Sequence, residues 1–147
     1  MRNPSGNSPS GTFAHAPIDV RWIDGLAFEA GRPDGSKVRI DADAQTAPGP
    51  FDLLLAAIAS CASVDVVTIL AKQRTPVQAF HVRVEATRLE STPRRLAAAN
   101  LHFSITAPGT TLAKATRAVE LSVTKYCSVR SSLIAEAPVT WTVELVG

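Results

Sequence analysis

Between Phe51 and Ala71 the chain carries an almost unbroken apolar run, and no other stretch limits the fold as strongly. The loop before it, Gln45 to Pro50, contains Pro48-Gly49-Pro50, which forbids helix, and the hydrophobic period then changes from two to helical. A helix from about Phe51 to Lys72 that is apolar nearly all round has to be covered on most sides by protein, so it is the long, buried central helix of the fold. Asp52 and Asp65, with Ser60, Ser63 and Thr68, interrupt the run, which therefore reads as a core helix and not as a membrane span. Its polar groups Cys61, Asp65, Thr68 and Lys72 fall at i, i+4, i+7 and i+11, one stripe along the cylinder. Such a stripe on a buried helix lines a pocket or an interface.

Strands on both sides of the helix supply its cover. Ile18, Val20 and Trp22 alternate with Asp19 and Arg21, and Asp24-Gly25 then supplies a hairpin turn of the type whose central residues both need positive φ. Leu26 to Ala30 continues as a second strand, Asp34-Gly35 turns again, and Val38, Ile40 and Ala42 alternate with Arg39 and Asp41 in a third. After the helix, Phe80, Val82, Val84 and Ala86 share one strand face, and Leu101, Phe103 and Ile105 share another across the exposed connection Ser91 to Arg95. Pro108-Gly109-Thr110 introduces a helix from about Thr111 to Tyr126, with Leu112, Ala115 and Val119 inward and Tyr126 a further candidate. A short helix around Ser131 to Ala135 and a last strand with Val139, Trp141, Val143 and Leu145 complete the order β-β-β-α-β-β-α-α-β, an α+β fold. A chain of 147 residues suits a single domain, here over 18–147, that can bury about two-thirds of its unfolded surface. Residues 1–17 read as a flexible tail, because Asn3 to Gly11 has almost nothing to bury.

Composition narrows the function classes. The net charge is only +2 and the basic residues are scattered, so nucleic-acid binding has no support. Hydrophobic content of 46% exceeds what disorder tolerates, and the polar, proline-rich residues after Met1-Arg2 do not form a secretory signal. The expectation is a soluble protein in a reducing cytoplasm, where a transient catalytic disulfide is expected and a structural one is uncommon. His15, His81 and His102 lack metal-ligand spacing, with His81 and His102 expected as outward, solvated imidazoles, and two cysteines without C-x-x-C do not suggest zinc. There is no G-x-S-x-G elbow, P-loop or dinucleotide fingerprint. Lys72-Gln73-Arg74 reads as a helix end, Arg94-Arg95 as an exposed loop, and Trp22 and Trp141 as strand packing or as walls of an apolar substrate pocket.

The two cysteines remain. Cys61 lies inside the apolar run, and Cys127 lies in Lys125-Tyr126-Cys127-Ser128-Val129, where two helical patterns meet. Free cysteine commonly packs as a small hydrophobe, but a pair can also do redox chemistry without a metal or organic cofactor.

The segment Pro48-Gly49-Pro50-Phe51-Asp52-Leu53-Leu54-Leu55, followed by Ala59-Ser60-Cys61 and Asp65-Val66-Val67, resembles the central helix of the OsmC/Ohr family of thiol-dependent peroxide-resistance proteins. Lys125-Tyr126-Cys127-Ser128-Val129 is similar to the family's second-cysteine segment. Arg21-Trp22-Ile23-Asp24-Gly25-Leu26-Ala27-Phe28 resembles one OsmC-like subgroup more than the organic-hydroperoxide reductases themselves. The resemblance, which runs from about Asp19 to the C terminus, implies an intertwined homodimer with two active sites at the subunit interface. It also implies a peroxidatic Cys61 and a resolving Cys127 that reduce organic hydroperoxides. No bound cofactor is then needed, only an external dithiol such as a lipoyl group or a thioredoxin-like protein.

The residue chemistry agrees with that assignment. A thiolate attacks the O–O bond and becomes a sulfenic acid, which a neighbouring thiol condenses with, provided the two Cα atoms approach within roughly 4.4 to 6.8 Å. Asp65, one turn after Cys61, disfavours a thiolate, so an offsetting cation is expected. In the peroxide-reductase branch of the family an arginine paired with a glutamate supplies that charge. That branch has its acid near the start of the central helix, where Asp52 is the closest match, shorter than glutamate and about half a turn out of phase with Cys61. Arg21, Arg39 and Arg130 are the candidate cations, with Arg39 and Arg130 favoured. Two other readings stay open: a non-catalytic dimer that senses redox state or binds an apolar ligand, and a structural module with inert core cysteines.

Overall fold

A computed structural model describes residues 11–147, so the tail segment 1–10 lies outside the described residues. The chain divides into an N-terminal unit that ends at Pro50 and a C-terminal unit that begins at Phe51. The order of elements is the expected one.

The N-terminal unit is an antiparallel meander of β1 (Asp19–Asp24), β2 (Ala27–Gly31) and β3 (Val38–Asp41). The first turn falls one residue later than expected. Asp24 still pairs with Ala27, so the central residues are Gly25 and Leu26, and only Gly25 takes positive φ, at 47°. A register shift between Trp22 and Asp24 absorbs the difference, and the Trp22 indole N–H closes the corner by donating to the Gly25 carbonyl at 3.0 Å. The alternation in β1 does not mark a buried face, because all six of its residues are exposed. After β3 the buried Asp41 organises the loop, accepting from the amides of Asp43, Gln45 and Thr46 and from the Thr46 hydroxyl at 3.0 to 3.2 Å. These bonds hold its carboxyl below the usual carboxylate range.

Helix α1 (Pro50–Lys72) begins on Pro50 itself. Proline is tolerated at the first helical position, where its missing N–H has no partner to lose, so only Pro48-Gly49 lies outside the helix. Asp52 in the first turn and Lys72 in the last complement the helix dipole. The end is a Schellman motif: Thr75 N–H donates to the Leu70 carbonyl at 2.9 Å and Arg74 N–H to the Ala71 carbonyl at 3.0 Å, with Arg74 left-handed at φ 61°.

The remaining strands form one sheet in the order β4 (Ala79–Arg88), β5 (Leu96–Thr106), β6 (Val139–Leu145), antiparallel then parallel. Ile58, Ala62, Val66 and Leu70 of α1 and Leu101, Phe103 and Ile105 of β5 are fully buried in one core, and Phe80 meets Phe103 edge to face with ring centres 5.9 Å apart. The core also takes Ala115, Ala118 and Val119 of α2 (Leu112–Leu121), capped by the Thr111 hydroxyl. Leu112 and Tyr126, expected inward, are about half exposed.

Two further differences from expectation bear on the site. Helix α1 is long and apolar enough to cross a membrane by length and composition, yet it is covered on one side only. Val64 and Val67 are exposed, and a groove of about 820 Å³ opens between that face and Phe80, Val82 and Val84 of β4. The second helical pattern also does not start at Ser131: α2 runs on through a π-helical turn, Ser122–Tyr126, and α3 is the single turn Ser128–Ser131 capped by Cys127.

Candidate active site around Cys61 and Cys127

The π turn decides where Cys127 stands. Its amide donates to the Ser122 carbonyl at 2.8 Å, a bond spanning five residues, and its carbonyl accepts from Ser131 N–H at 3.0 Å. The residue is thereby pinned between two helical segments in an extended conformation, φ −70° and ψ 100°. Its side chain is 2% exposed and belongs to the core cluster, against the middle of α1. There the Cys127 thiol lies 3.8 Å from the Ile58 carbonyl, and its sulfur accepts from the Arg130 amide at 3.4 Å.

Cys61 lies less than one turn after Ile58 on the same helix, partly buried. The two thiols are free and within hydrogen-bonding reach of each other. The Ser128 hydroxyl lies 3.7 Å from the Cys61 sulfur. Burial pushes the Cys61 thiol up, but the Val129 amide, the Ser128 hydroxyl, the Cys127 thiol and the Ser128 amide all donate toward the sulfur, and the net result is below the ordinary thiol value. Cys127 goes the other way. Burial raises it, the hydrogen bond to Cys61 and the charge on Cys61 raise it further, and the Arg130 and Val129 amides only partly offset this. The pair is polarised, with the accessible sulfur as the easier anion and the buried one as the proton donor.

Of the five residues singled out in the sequence, the structure brings Cys61 and Cys127 together and places Arg130 beside them through its backbone amide. The Arg130 side chain, partly buried, lines a separate hollow with Leu133, Ile134 and Ala137. Asp52 is exposed in the first turn of α1 and lines the groove, about 13 Å along the axis from Cys61. Arg39 stands exposed on β3, in register with Glu29 of β2. A cation that sequence reasoning passed over, Arg88, lies over the Phe51 ring at 3.9 Å, next to the start of α1. Asp65 is not among the groups that act most on Cys61, and the groups that offset burial there are neutral donors, where a cation was expected. Ser128 was the residue missed, although it sits inside the quoted second-cysteine motif. His102 faces outward as expected, and its ring nitrogens lie 2.7 Å from the Thr142 hydroxyl and 3.3 Å from Glu85.

Comparison with known proteins gives a consistent result. The sequence pattern of the family described as OsmC-like protein matches residues 42–143. Protein YhfA of Escherichia coli strain K12 is 36% identical over 129 residues, covering 87% of this chain and 96% of YhfA. An OsmC-like protein from Mycoplasma pneumoniae superposes with a TM-score of 0.78 at 17% identity, covering 92% of this chain and 100% of that one. The organic hydroperoxide resistance protein OhrB of Bacillus subtilis superposes with a TM-score of 0.60 at 16% identity, covering 89% of this chain and 98% of that one.

Proposed function

This chain belongs to the family of OsmC-like proteins, and on that premise we propose that it is a thiol-dependent peroxidase acting on organic hydroperoxides. The observation that carries the reading is the meeting of a second thiol and a hydroxyl at the Cys61 sulfur. Cys61 as thiolate attacks the distal oxygen of the hydroperoxide, the O–O bond breaks, and the sulfur becomes a sulfenic acid. The leaving alkoxide takes the Cys127 proton and departs as the alcohol. The Cys127 thiolate so formed attacks the Cys61 sulfur, closes the disulfide and expels hydroxide, which solvent protonates to water. An external dithiol, a lipoyl group or a thioredoxin-like protein, then reduces the disulfide and is itself oxidised.

The apolar surroundings of Cys61, which packs against the hydrophobic core, support an alkyl or lipid hydroperoxide over hydrogen peroxide. The same reading has the protein working as an intertwined homodimer in a reducing compartment such as the cytoplasm. Turnover of the two cysteine variants tests the mechanism. Cys61→Ser should abolish peroxide reduction, whereas Cys127→Ser should complete one stoichiometric oxidation and then over-oxidise at Cys61. Full activity in Cys61→Ser would sink it. The open groove also favours a second reading, a dimer that binds an apolar ligand and only senses redox state, which slow oxidation together with micromolar ligand binding would support.

A further inference from the structure

We propose that the Ser128 hydroxyl is a catalytic hydrogen-bond donor to the Cys61 sulfur, stabilising it as the anion. The inference rests on Cys61 being the nucleophile of the reading above. Its starting point is where the helical hydroxyls of this chain spend their protons. Ser63, Thr68, Ser122, Thr124 and Ser132 each donate to the carbonyl four residues earlier, at 2.6 to 2.8 Å. Ser60 donates three residues back, to the Ala57 carbonyl. Ser128 makes no such bond: it is the first residue of α3 and follows Cys127, whose extended backbone breaks the helical path.

Its hydroxyl contact is instead the Cys61 sulfur on another element, at 3.7 Å, within the range of a hydrogen bond to sulfur. A thiolate carries no proton, so once Cys61 is ionised only the hydroxyl can donate. The backbone of Ser128 is fixed for this. Its carbonyl accepts from the Ser132 amide at 3.0 Å and from the Ser132 hydroxyl at 2.8 Å, and the preceding Cys127 carbonyl accepts from Ser131. The Ser128 and Val129 amides of the same short turn also act to lower the Cys61 thiol. Ser128 keeps its proton throughout. It stabilises the attacking anion and is neither oxidised nor consumed.

The test compares Ser128→Ala and Ser128→Thr with the unaltered protein by the pH dependence of Cys61 alkylation with iodoacetamide, resolved by mass mapping, and by the rate with cumene hydroperoxide. Loss of a hydrogen bond to a charged group should raise the alkylation midpoint of Ser128→Ala by about one pH unit and slow its peroxide reaction at neutral pH about tenfold. At alkaline pH its rate should converge on that of the unaltered protein, and Ser128→Thr, which keeps the hydroxyl, should retain the original midpoint. An unchanged midpoint in Ser128→Ala would overturn the proposal, even beside normal peroxide turnover. Because alkylation needs no peroxide, a raised midpoint in a protein that reduces no peroxide would support the donor role while removing the peroxidase reading.

Discussion

A peroxide bond is opened by a thiolate and hardly at all by a thiol, so the division of charge between the two sulfurs governs the chemistry. Cys61 lies below the ordinary thiol value because four donors outweigh its burial, and Cys127 lies above it because burial and the neighbouring anion act together. The sign of the pH dependence follows. As pH falls through the lowered value of Cys61 the thiolate is lost, so its reaction with iodoacetamide or peroxide should fall about tenfold per unit below a midpoint lower than that of an ordinary thiol. Cys127, 2% exposed and held protonated, should be labelled far more slowly and only at higher pH. Mass mapping after brief alkylation at neutral pH checks this, and labelling of Cys127 before Cys61 would contradict the polarity.

At the scale of the element, the π turn Ser122–Tyr126 does the positioning. One extra residue in a helical turn rotates everything after it by about 100°, and here that rotation turns Cys127 onto the Ile58 carbonyl and the Cys61 sulfur. The hydroxyls of the turn donate to carbonyls at the end of α2, Ser122 to Ala118 at 2.7 Å and Thr124 to Glu120 at 2.6 Å. Ser122 is fully buried, so Ser122→Ala should cost about 1 kcal/mol of stability, and Ser122→Val should cost more by crowding a sealed site with a methyl that cannot donate. Denaturant midpoints read both, and an unchanged midpoint in both variants would contradict the role of this side chain. The limits of the sequence show at this scale. Alternation marked every strand, and the apolar period marked α1 to within a residue. No residue pattern announces a bond from residue 127 to residue 122, so the second helical segment was expected at Ser131 and stands at Ser128. Ser128 was legible as part of a motif but not as a donor, because its contact depends on a helix 67 positions away.

At the scale of the whole molecule, a helix as apolar as α1 was expected to be covered on most sides, and one chain leaves Val64 65% exposed and Val67 40% exposed. A second copy seated along that groove, as the intertwined dimer requires, would complete the cover. Sedimentation should therefore give twice the mass of one chain, and Val64→Glu, which places a charge on the open face, should shift the protein toward monomer. A monomer at high micromolar concentration in the unaltered protein would contradict the dimer. The central claim is that Cys61 and Cys127 act as one redox pair. The most direct test is to mix the reduced protein with one equivalent of cumene hydroperoxide in a stopped-flow instrument, follow oxidation, and map the product by mass. Fast oxidation is expected, faster than with hydrogen peroxide, ending in an intramolecular Cys61–Cys127 disulfide. Slow oxidation, or a product in which Cys127 remains a free thiol beside an oxidised Cys61, would contradict it.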